Sequence, residues 1–315
     1  MLKGTSKVYP DTIPFEPFGR VVALGFFDGI HIGHLEIIRK AVKVAKMENM
    51  PCLVQTFNSF PKGDGRLLTT IDERLEILSE LGVDELLVIN FTDEFKNTSP
   101  EGFCNETIKT LINAKAILVG DDYSYGKLAS GNVDTLREFG EENDIAVKVI
   151  KAKTLPGGDR RVSSSWMRES LTNGDVKTYS ELTGGRFFSY SGNVIRGKEL
   201  GRELGFPTAN VVIPDNKFLV KRGVYVSRVT IGNQVFGGVT NIGLRPTVED
   251  SNVDLSETYI FDFNEDIYGA KIKVELLDFL RPETKFSSRD ELIAAVEANK
   301  VQAKTYLLES GIISK

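Results

Sequence analysis

The chain has 315 residues, enough for two ordinary domains, and its 41% hydrophobic and 26% charged residues are typical of a globular protein. A formal net charge of −5 argues against a general nucleic-acid binder, which needs a basic surface. Cys52 and Cys104 form no zinc-type spacing, no stretch approaches the ~18 apolar residues of a membrane span, and the N-terminus lacks the apolar core of a signal peptide. We therefore expect a cytoplasmic protein that binds neither membranes nor nucleic acid.

Up to about residue 155, short β-branched runs alternate with amphipathic segments. Five runs are predicted to be strands buried on both faces: RVVALGF (20–26), PCLVQTF (51–57), ELLVINF (85–91), AILVG (116–120) and IAVKVIKA (145–152). Three segments are predicted to be helices: HLEIIRKAVKVAKMEN (34–49), TIDERLEILSEL (70–81) and SPEGFCNETIKTLINA (99–114). This alternation predicts a Rossmann-like α/β domain whose parallel sheet binds ligands beyond the carboxyl ends of its strands.

The character of the chain changes at Gly184-Gly185, after two short helical pieces at 164–174 and 175–185. Beyond this point turns, not helices, separate the predicted strands: FFSYSGNVI (187–195), GVYVSRVTIGNQVFGGVTNIG (223–243), SETYIFDF (256–263) and KIKVELLDFL (271–280). Gly232-Asn233 signals a hairpin, and SRDELIAAVEANKVQAKTYLLES (288–310) a closing helix. We expect one domain over 1–184 and a second, an antiparallel β-barrel with a closing helix, over 185–315.

The segment GFFDGIHIGH (25–34) holds His31 and His34, the only histidines of the chain. It falls between a predicted strand and a predicted helix, where unpaired backbone N–H groups and the helix dipole favour a bound phosphate. Its glycines permit tight turning and close approach of a ligand. The alternatives are a chance pair or half a metal site, but there is no third histidine and neither cysteine is suitably placed. We therefore interpret the segment as a phosphate-binding turn.

Several motifs carry a resemblance to known enzymes. GFFDGIHIGH is similar to the G-x-F-D-x-x-H-x-G-H signature of HIGH-motif nucleotidyltransferases, without the K-M-S-K-S loop of class I aminoacyl-tRNA synthetases. Residues 119–136 and 162–176 resemble segments of bacterial FMN adenylyltransferases, and GRELGFPTANV (201–211), NIGLRPT (241–247) and ETYIFDFNEDIYG (257–269) resemble segments of riboflavin kinases. From about residue 20 to 308, the chain thus resembles the bacterial family of bifunctional riboflavin kinase/FMN adenylyltransferases, or FAD synthetases.

The resemblance implies that the first domain adenylylates FMN with ATP and releases pyrophosphate. His31 and His34 would be the catalytic groups, donating hydrogen bonds to the ATP phosphates. The further residues expected to bind ATP or phosphate are Gly25, Asp28, Gly33, Asp122, Ser164, Ser165 and Arg168. A role of Ser164 as a helix cap only is the alternative for that residue.

The resemblance also implies that the second domain phosphorylates riboflavin. Thr208 and Asn210 would be ligands of Mg²⁺, a hard cation that prefers oxygen. Glu257 would be the general base for the substrate hydroxyl, its alternative being a carboxylate on a strand surface. No Walker A motif is present, so phosphate binding is assigned to a loop that contains Gly197, Lys198, Gly201 and Arg202.

The chain departs from the family pattern at three places. Asn58, Ser59 and Phe60 stand where relatives often read x-P-H after a phenylalanine, Phe26 replaces an asparagine, and Ser165 replaces a threonine. We expect FAD synthesis to be the weaker activity as a result.

Two other functions remain alternatives: a HIGH-family nucleotidyltransferase for another substrate with the barrel as a regulatory domain, and a non-catalytic flavin-binding protein. The expected small-molecule partners are riboflavin, FMN, FAD and ATP. Self-association and the passage of FMN between sites are left open.

Overall fold

A computed structural model describes residues 4–59, 65–197, 205–246 and 252–313. Its backbone divides into two compact units, Met1–Ser164 and Ser165–Lys315. The helical pieces before Gly184 therefore pack mainly with the second unit, whereas the sequence assigned them to the first. The domain boundary at 184/185 stays a prediction.

The centre of the first unit is a parallel sheet. The strands of this unit are β1 (Ser6–Val8), β2 (Arg20–Leu24), β3 (Cys52–Phe57), β4 (Glu85–Ile89), β5 (Ala114–Gly120), β6 (Ser124–Tyr125), β7 (Gly131–Asn132) and β8 (Ala146–Ile150). β6 and β7 form a separate antiparallel ribbon, and the other six pair in the order β1-β4-β3-β2-β5-β8. After β2 the chain continues to β3 on one side of the sheet. After β5 it continues to β8 on the opposite side. The crevice at the carboxyl ends of β2 and β5 is therefore the topological switch point, where such sheets bind ligands.

Helices cover both faces of this sheet. They are α1 (Ile32–Glu48), α2 (Ile71–Leu81), α3 (Asp93–Lys96), α4 (Pro100–Gly102), a π-helix (Phe103–Leu111) and α5 (Val133–Glu142). One buried cluster includes Ile38 of α1 and Leu78 of α2, and the other includes Ile108 of the π-helix and Leu136 of α5. The Rossmann-like architecture predicted from the alternation of strands and helices is confirmed.

Some local predictions for this unit differ from the structure. The segment 99–114 is mostly a π-helix, in which the Ile112 N–H donates to the Thr107 carbonyl, five residues back, at 2.9 Å. β8 was expected to be buried on both faces, but it is the edge strand and only Ile150 in it is fully buried. The sequence analysis did not identify β1, the β6–β7 ribbon or α5.

The second unit is a closed six-stranded barrel with helices at both ends of its sequence. Its elements are α6 (Ser164–Asn173), which begins at the last residue of the first unit, α7 (Val176–Leu182), β9 (Phe188–Ile195), β10 (Thr208–Val212), β11 (Gly223–Ile231), β12 (Gln234–Pro246), β13 (Asn252–Ile260), β14 (Lys271–Pro282) and α8 (Arg289–Glu309). The strands pair antiparallel in the order β10-β13-β12-β11-β14-β9, and the ends of the list meet.

The predicted barrel, hairpin and closing helix are therefore confirmed. Gly232 and Asn233 connect β11 to β12, with Ile231 paired to Gln234. Ala303 and Leu307 of α8 pack in a buried cluster with Val226 and Val239 of the barrel. β10 was read as a motif and not as a strand. Within the described ranges, no helix has the length and apolar character needed to cross a membrane.

Candidate active sites

The turn that joins β2 to α1 is wound through left-handed backbone. Phe27, Gly29 and Ile30 have φ angles of 50°, 80° and 44°, a region that residues with side chains rarely adopt. The Phe27 and Ile30 side chains are fully buried, so packing holds them in this costly conformation. Sequence reasoning found the glycines of the turn and missed these two apolar anchors.

The structure brings the two histidines together at the start of α1. The Nδ1 atom of His31 accepts a hydrogen bond from the backbone N–H of His34 at 3.2 Å and so caps the helix. The two rings stack with centroids 3.6 Å apart and planes inclined by 18°. Because Nδ1 of His31 is an acceptor here, its neutral ring carries the proton on Nε2, which is then a hydrogen-bond donor.

The glycines at 25 and 33 leave no room for a side chain. A Cβ atom at Gly33 would lie 3.1 Å from two ring atoms of His31, and one at Gly25 would lie 3.0 Å from the Phe27 ring. Both glycines therefore shape the turn through close packing, and neither has a positive φ.

Asp28, expected among the phosphate-binding residues, lies beneath the turn. Its carboxylate is completely buried, 3.0 Å from Nη2 of Arg74, and it accepts hydrogen bonds from the backbone N–H groups of Leu68 and Thr69. With its carboxylate buried against Arg74, Asp28 contacts the protein itself in this structure, and its predicted part in phosphate binding stays a prediction. The structure thus places Asp28 as a support of the turn, with Arg74 as a partner that the sequence did not reveal.

The first residue of α6 is attached to the same turn. The Ser164 hydroxyl donates to the backbone carbonyl of Asp28 at 2.9 Å. That contact joins two parts of the chain and is not a helix cap. Ser165 is exposed, and Arg168 lies over the ring of Phe218 at 5.8 Å, within the second unit.

Asp122 follows β5, at the other side of the switch point. It is exposed, and one of its carboxylate oxygens lies 2.8 Å from Nη2 of Arg161, which lies equally close to Asp121. Arg161 is a cation at this edge of the sheet that no sequence motif had indicated. Guanidinium groups bind phosphate oxygens in a fork geometry, so Arg161 adds a candidate phosphate ligand.

A chain of aromatic side chains lies near the carboxyl ends of β3, β4 and β5. Its members are in ring contact, with centroids 5.1 to 6.1 Å apart: Phe57, Phe91, Phe95, Phe103, Tyr125 and Tyr123. Burial raises the pKa of Tyr125 to about 12, and its hydroxyl shares a hydrogen bond with the hydroxyl of Thr135 at 3.0 Å. Phe103 and Tyr125 belong to the buried core, and the half-buried rings of Phe57, Phe91 and Phe95 suit contact with a planar aromatic ligand.

Among the residues that depart from the family pattern, Asn58 forms hydrogen bonds that connect two strand ends. Its amide nitrogen donates to Oδ1 of Asn90, and its own Oδ1 accepts from the N–H of Phe91, which connects the ends of β3 and β4. Phe60, Lys198, Gly201 and Arg202 lie outside the described residues.

The second unit contains a cavity of about 690 Å³. Three polar side chains in its wall occupy one row of the barrel, since Glu257 of β13 is paired with Asn210 of β10 and with Asn241 of β12. Thr208 lies two residues before Asn210 and so on the same face of β10. The predicted kinase residues that the structure describes are thus brought together.

Asn210 has a buried oxygen that needs a partner. Its side chain is only 3% exposed and its Nδ2 donates to the Thr208 carbonyl at 3.2 Å, but Oδ1 has no hydrogen-bond partner among the described residues. Gly197 packs on this amide, because a Cβ there would lie 2.6 Å from Nδ2. A buried oxygen without a hydrogen-bond partner is suited to bind a cation, and Thr208 offers a second oxygen beside it.

Glu257 projects from the cavity wall half-buried. Within the part of the chain that the structure describes, its carboxylate takes part in no hydrogen bond or ion pair. A carboxylate in this state can accept a proton from a bound hydroxyl.

Comparison with known proteins gives matches to both units. A riboflavin kinase family model matches residues 184–307, and an FAD synthetase family model matches residues 15–166. The bifunctional riboflavin kinase/FMN adenylyltransferase of Bacillus subtilis is 34% identical over 91% of this chain and 92% of its own length. The protein of that name from Escherichia coli K12 is 33% identical over 91% of this chain and 93% of its own.

A solved structure is also similar along nearly the whole chain. It comes from Streptococcus pneumoniae, is described as a macrolide-efflux protein, and is 32% identical with a TM-score of 0.82. The similarity covers 95% of this chain and 98% of that one, so the two chains share the same two-part fold.

Proposed function

The chain belongs to the family of bifunctional riboflavin kinase/FMN adenylyltransferases, and on this premise we propose that it makes FMN from riboflavin and FAD from FMN. ATP is the co-substrate of both steps. The observation that carries the proposal is the presence of two separate polar sites, each inside a unit with its own family match. The two free, buried cysteines fit a reducing compartment, and we place the protein in the cytoplasm.

In the first unit, a phosphate oxygen of FMN attacks the α-phosphorus of ATP, a new P–O bond forms, and pyrophosphate leaves. Such transfers depend on positioning and on stabilising negative charge. Nε2 of His31 and the backbone N–H groups at the start of α1 supply donors for that charge. Arg161 provides a cation for the outer phosphates, and the half-buried rings of Phe57, Phe91 and Phe95 contact the flavin ring.

In the second unit, the terminal ribityl hydroxyl of riboflavin attacks the γ-phosphorus of ATP and ADP leaves. Glu257 accepts the proton of that hydroxyl. Thr208 and Asn210 are the residues that would hold Mg²⁺, which neutralises phosphate charge when bound. The unpartnered Oδ1 of Asn210 supports this assignment.

The test is incubation of the purified protein with riboflavin, ATP and Mg²⁺, followed by chromatographic separation of the flavins and nucleotides. We expect FMN with ADP first, and then FAD with pyrophosphate. FMN production without any FAD from added FMN would indicate that the first unit acts on another substrate. Flavin binding without consumption of ATP would indicate a carrier protein.

A further inference from the structure

Arg74 of α2 is buried at the centre of a hydrogen-bond network in the first unit. Its side chain is 0% exposed. Nη2 donates to Oδ1 of Asp28 at 3.0 Å and to the Thr69 carbonyl at 3.1 Å, and Nε donates to the Thr69 hydroxyl at 3.1 Å. Nη1 donates to the Thr56 hydroxyl at 2.6 Å and to the Phe57 carbonyl at 3.1 Å. One guanidinium thereby connects the turn after β2, the end of β3 and the segment before α2.

The network reaches the turn at three points, two on the backbone and one on a side chain. The Phe26 carbonyl accepts from the Thr56 hydroxyl at 2.6 Å and from Arg74 at 3.4 Å. The N–H of Gly29 donates to the hydroxyl of Thr69 at 2.9 Å. Between them, the carboxylate of Asp28 is fixed by the ion pair. Left-handed residues stand on both sides of Asp28, so the network fixes the part of the turn with the least favourable backbone.

Stability alone does not explain a charge pair in this place. Removing both charges from water is costly, and a buried pair can often be replaced by apolar side chains without loss of stability. What such a pair does provide, when all its hydrogen bonds are satisfied, is one fixed geometry. His31 follows this turn directly in the sequence, caps α1 and stacks on His34.

We propose that Arg74 is a positioning residue for adenylyl transfer: through Asp28 and the backbone of the turn, it holds His31 and the N-terminus of α1 in the geometry that binds the ATP phosphates. This inference rests on the proposed function of the first unit. Arg74 itself touches no substrate.

The test uses Arg74→Lys, which keeps the positive charge. A lysine ammonium can pair with Asp28, but it cannot reproduce the planar fork that reaches Thr56, Phe57 and Thr69 together. We expect kcat for FAD formation from FMN and ATP to fall about 10- to 100-fold, since small misplacements of catalytic groups have effects of this order. The KM values should change less, and FMN formation from riboflavin should be unchanged. Arg137→Lys is the matched control, because Arg137 forms an exposed ion pair with Asp134 in the same unit.

A second measurement reads the geometry directly. His31 and His34 are the only histidines, so the imidazole nitrogen signals in an NMR spectrum come from these two rings alone. In the wild type, we expect one ring with an accepting Nδ1 and a protonated Nε2. Arg74→Lys should shift these signals, and Arg137→Lys should leave them in place.

If Arg74→Lys does not fold, Thr69→Val tests the positioning role instead. It keeps both charges of the ion pair and removes only the hydroxyl that binds Gly29 and Arg74. It should lower kcat for FAD formation and shift the imidazole signals in the same direction. Folded variants with wild-type kcat and wild-type imidazole signals would overturn the proposal, as would an equal loss of both activities. A wild type that makes no FAD would contradict the proposed function instead, and the imidazole signals would still test the positioning.

Discussion

Asn210 and Glu257 are neighbours across β10 and β13, but they are suited to different tasks in the kinase cavity. The Asn210 amide is fixed by Thr208 and by the close packing of Gly197, which leaves one oxygen held rigidly. Glu257 has no partner within the described ranges and is half-exposed to the cavity. A rigid neutral oxygen suits a metal ligand, and an unengaged carboxylate suits proton transfer.

Glu257→Gln should remove most of the FMN formation. The amide keeps the shape of the side chain but cannot accept a proton, so we expect kcat to fall about 10²- to 10⁴-fold. Riboflavin binding, followed by flavin fluorescence, should change little. Glu309→Gln, at an exposed position near the end of α8, is the control and should have wild-type kcat. Wild-type turnover in Glu257→Gln would exclude Glu257 as the general base and leave it as a carboxylate on a strand surface.

Asn210→Ala should raise the Mg²⁺ concentration needed for half-maximal FMN formation. The change removes the buried oxygen that has no protein partner. We expect a shift of about tenfold or more, as the loss of one charge-assisted contact predicts. The measurement is a Mg²⁺ titration at saturating riboflavin and ATP, with the exposed Asn193→Ala as control. An unchanged titration curve would exclude Asn210 as a ligand.

At the scale of the element, the N-terminus of α1 combines a stable helix with a crowded first turn. Gly33 is an unfavourable residue inside a helix, but its missing Cβ makes room for the His31 ring. Stability and activity therefore have opposite requirements at this position.

Gly33→Ala should separate these two requirements. Alanine gains up to about 1 kcal/mol of helix propensity, whereas its methyl group would lie 3.1 Å from the His31 ring and displace it. We expect a thermal unfolding temperature close to that of the wild type, together with reduced FAD formation. FMN formation in the same samples is the internal control. Full FAD synthesis in this variant would show that the position of the His31 ring is not critical.

The helices and strands with strong periodicity were predictable because their signals are local. Thr70 precedes α2, and the structure shows the complete capping box with Glu73 that such a sequence favours. The π-helix was not predictable, since its apolar spacing also satisfies an α-helix. β10 has five residues, as many as β2 and β4, but its residues were interpreted only as part of a motif.

The support of the first site was hidden for a different reason. Arg74 and Asp28 are 46 residues apart, and Arg74 occupies a position of α2 that reads as ordinary polar surface. Phe27 and Ile30 adopt positive φ only because tertiary packing holds them there. The sequence thus predicted residues that would approach phosphate, and only the fold revealed what supports the turn that carries them.

At the scale of the whole molecule, the relation of α6 and α7 to the barrel bears on the domain boundary. Tyr179 of α7 makes an edge contact with Phe188 of β9 at 5.3 Å, and Lys177 pairs with Asp278 of β14 at 2.7 Å. The Lys221 N–H also donates to the Leu171 carbonyl of α6 at 2.9 Å. These contacts tie both helices to the second unit.

Two fragments test where the boundary lies. A fragment of residues 165–315 should fold and phosphorylate riboflavin. A fragment of residues 185–315 should keep this activity but unfold at a lower temperature, because it loses the apolar contacts of α7. Thermal unfolding and riboflavin kinase assays of both provide the measurement. Equal unfolding temperatures would favour a boundary at Gly184-Gly185, and an inactive longer fragment would contradict an independent kinase unit.

The balance between the two activities is a further prediction for the whole chain. With riboflavin and ATP in excess, we expect FMN to accumulate before FAD, because Asn58, Ser59 and Phe60 replace the residues that relatives often carry at these positions. A lost ligand contact costs ~1–3 kcal/mol, or roughly ten- to hundredfold in rate. A time course of both products measures the balance, with Phe60→His as the restoring variant. FAD that appears as fast as FMN is made, without any effect of Phe60→His, would show that the replacements are neutral.

The strand order has a consequence for the behaviour of the protein at high concentration. The barrel is closed, so in the residues that the structure describes its six strands present no open sheet edge to a neighbouring molecule. The parallel sheet has two edges, β1 with only three residues and β8 with Lys148 exposed at its centre. Short edge strands and charged edge residues are both devices that hinder β-augmentation between molecules. The barrel and the parallel sheet are therefore protected against intermolecular strand pairing, and aggregation through the edges of the parallel sheet would first require local unfolding.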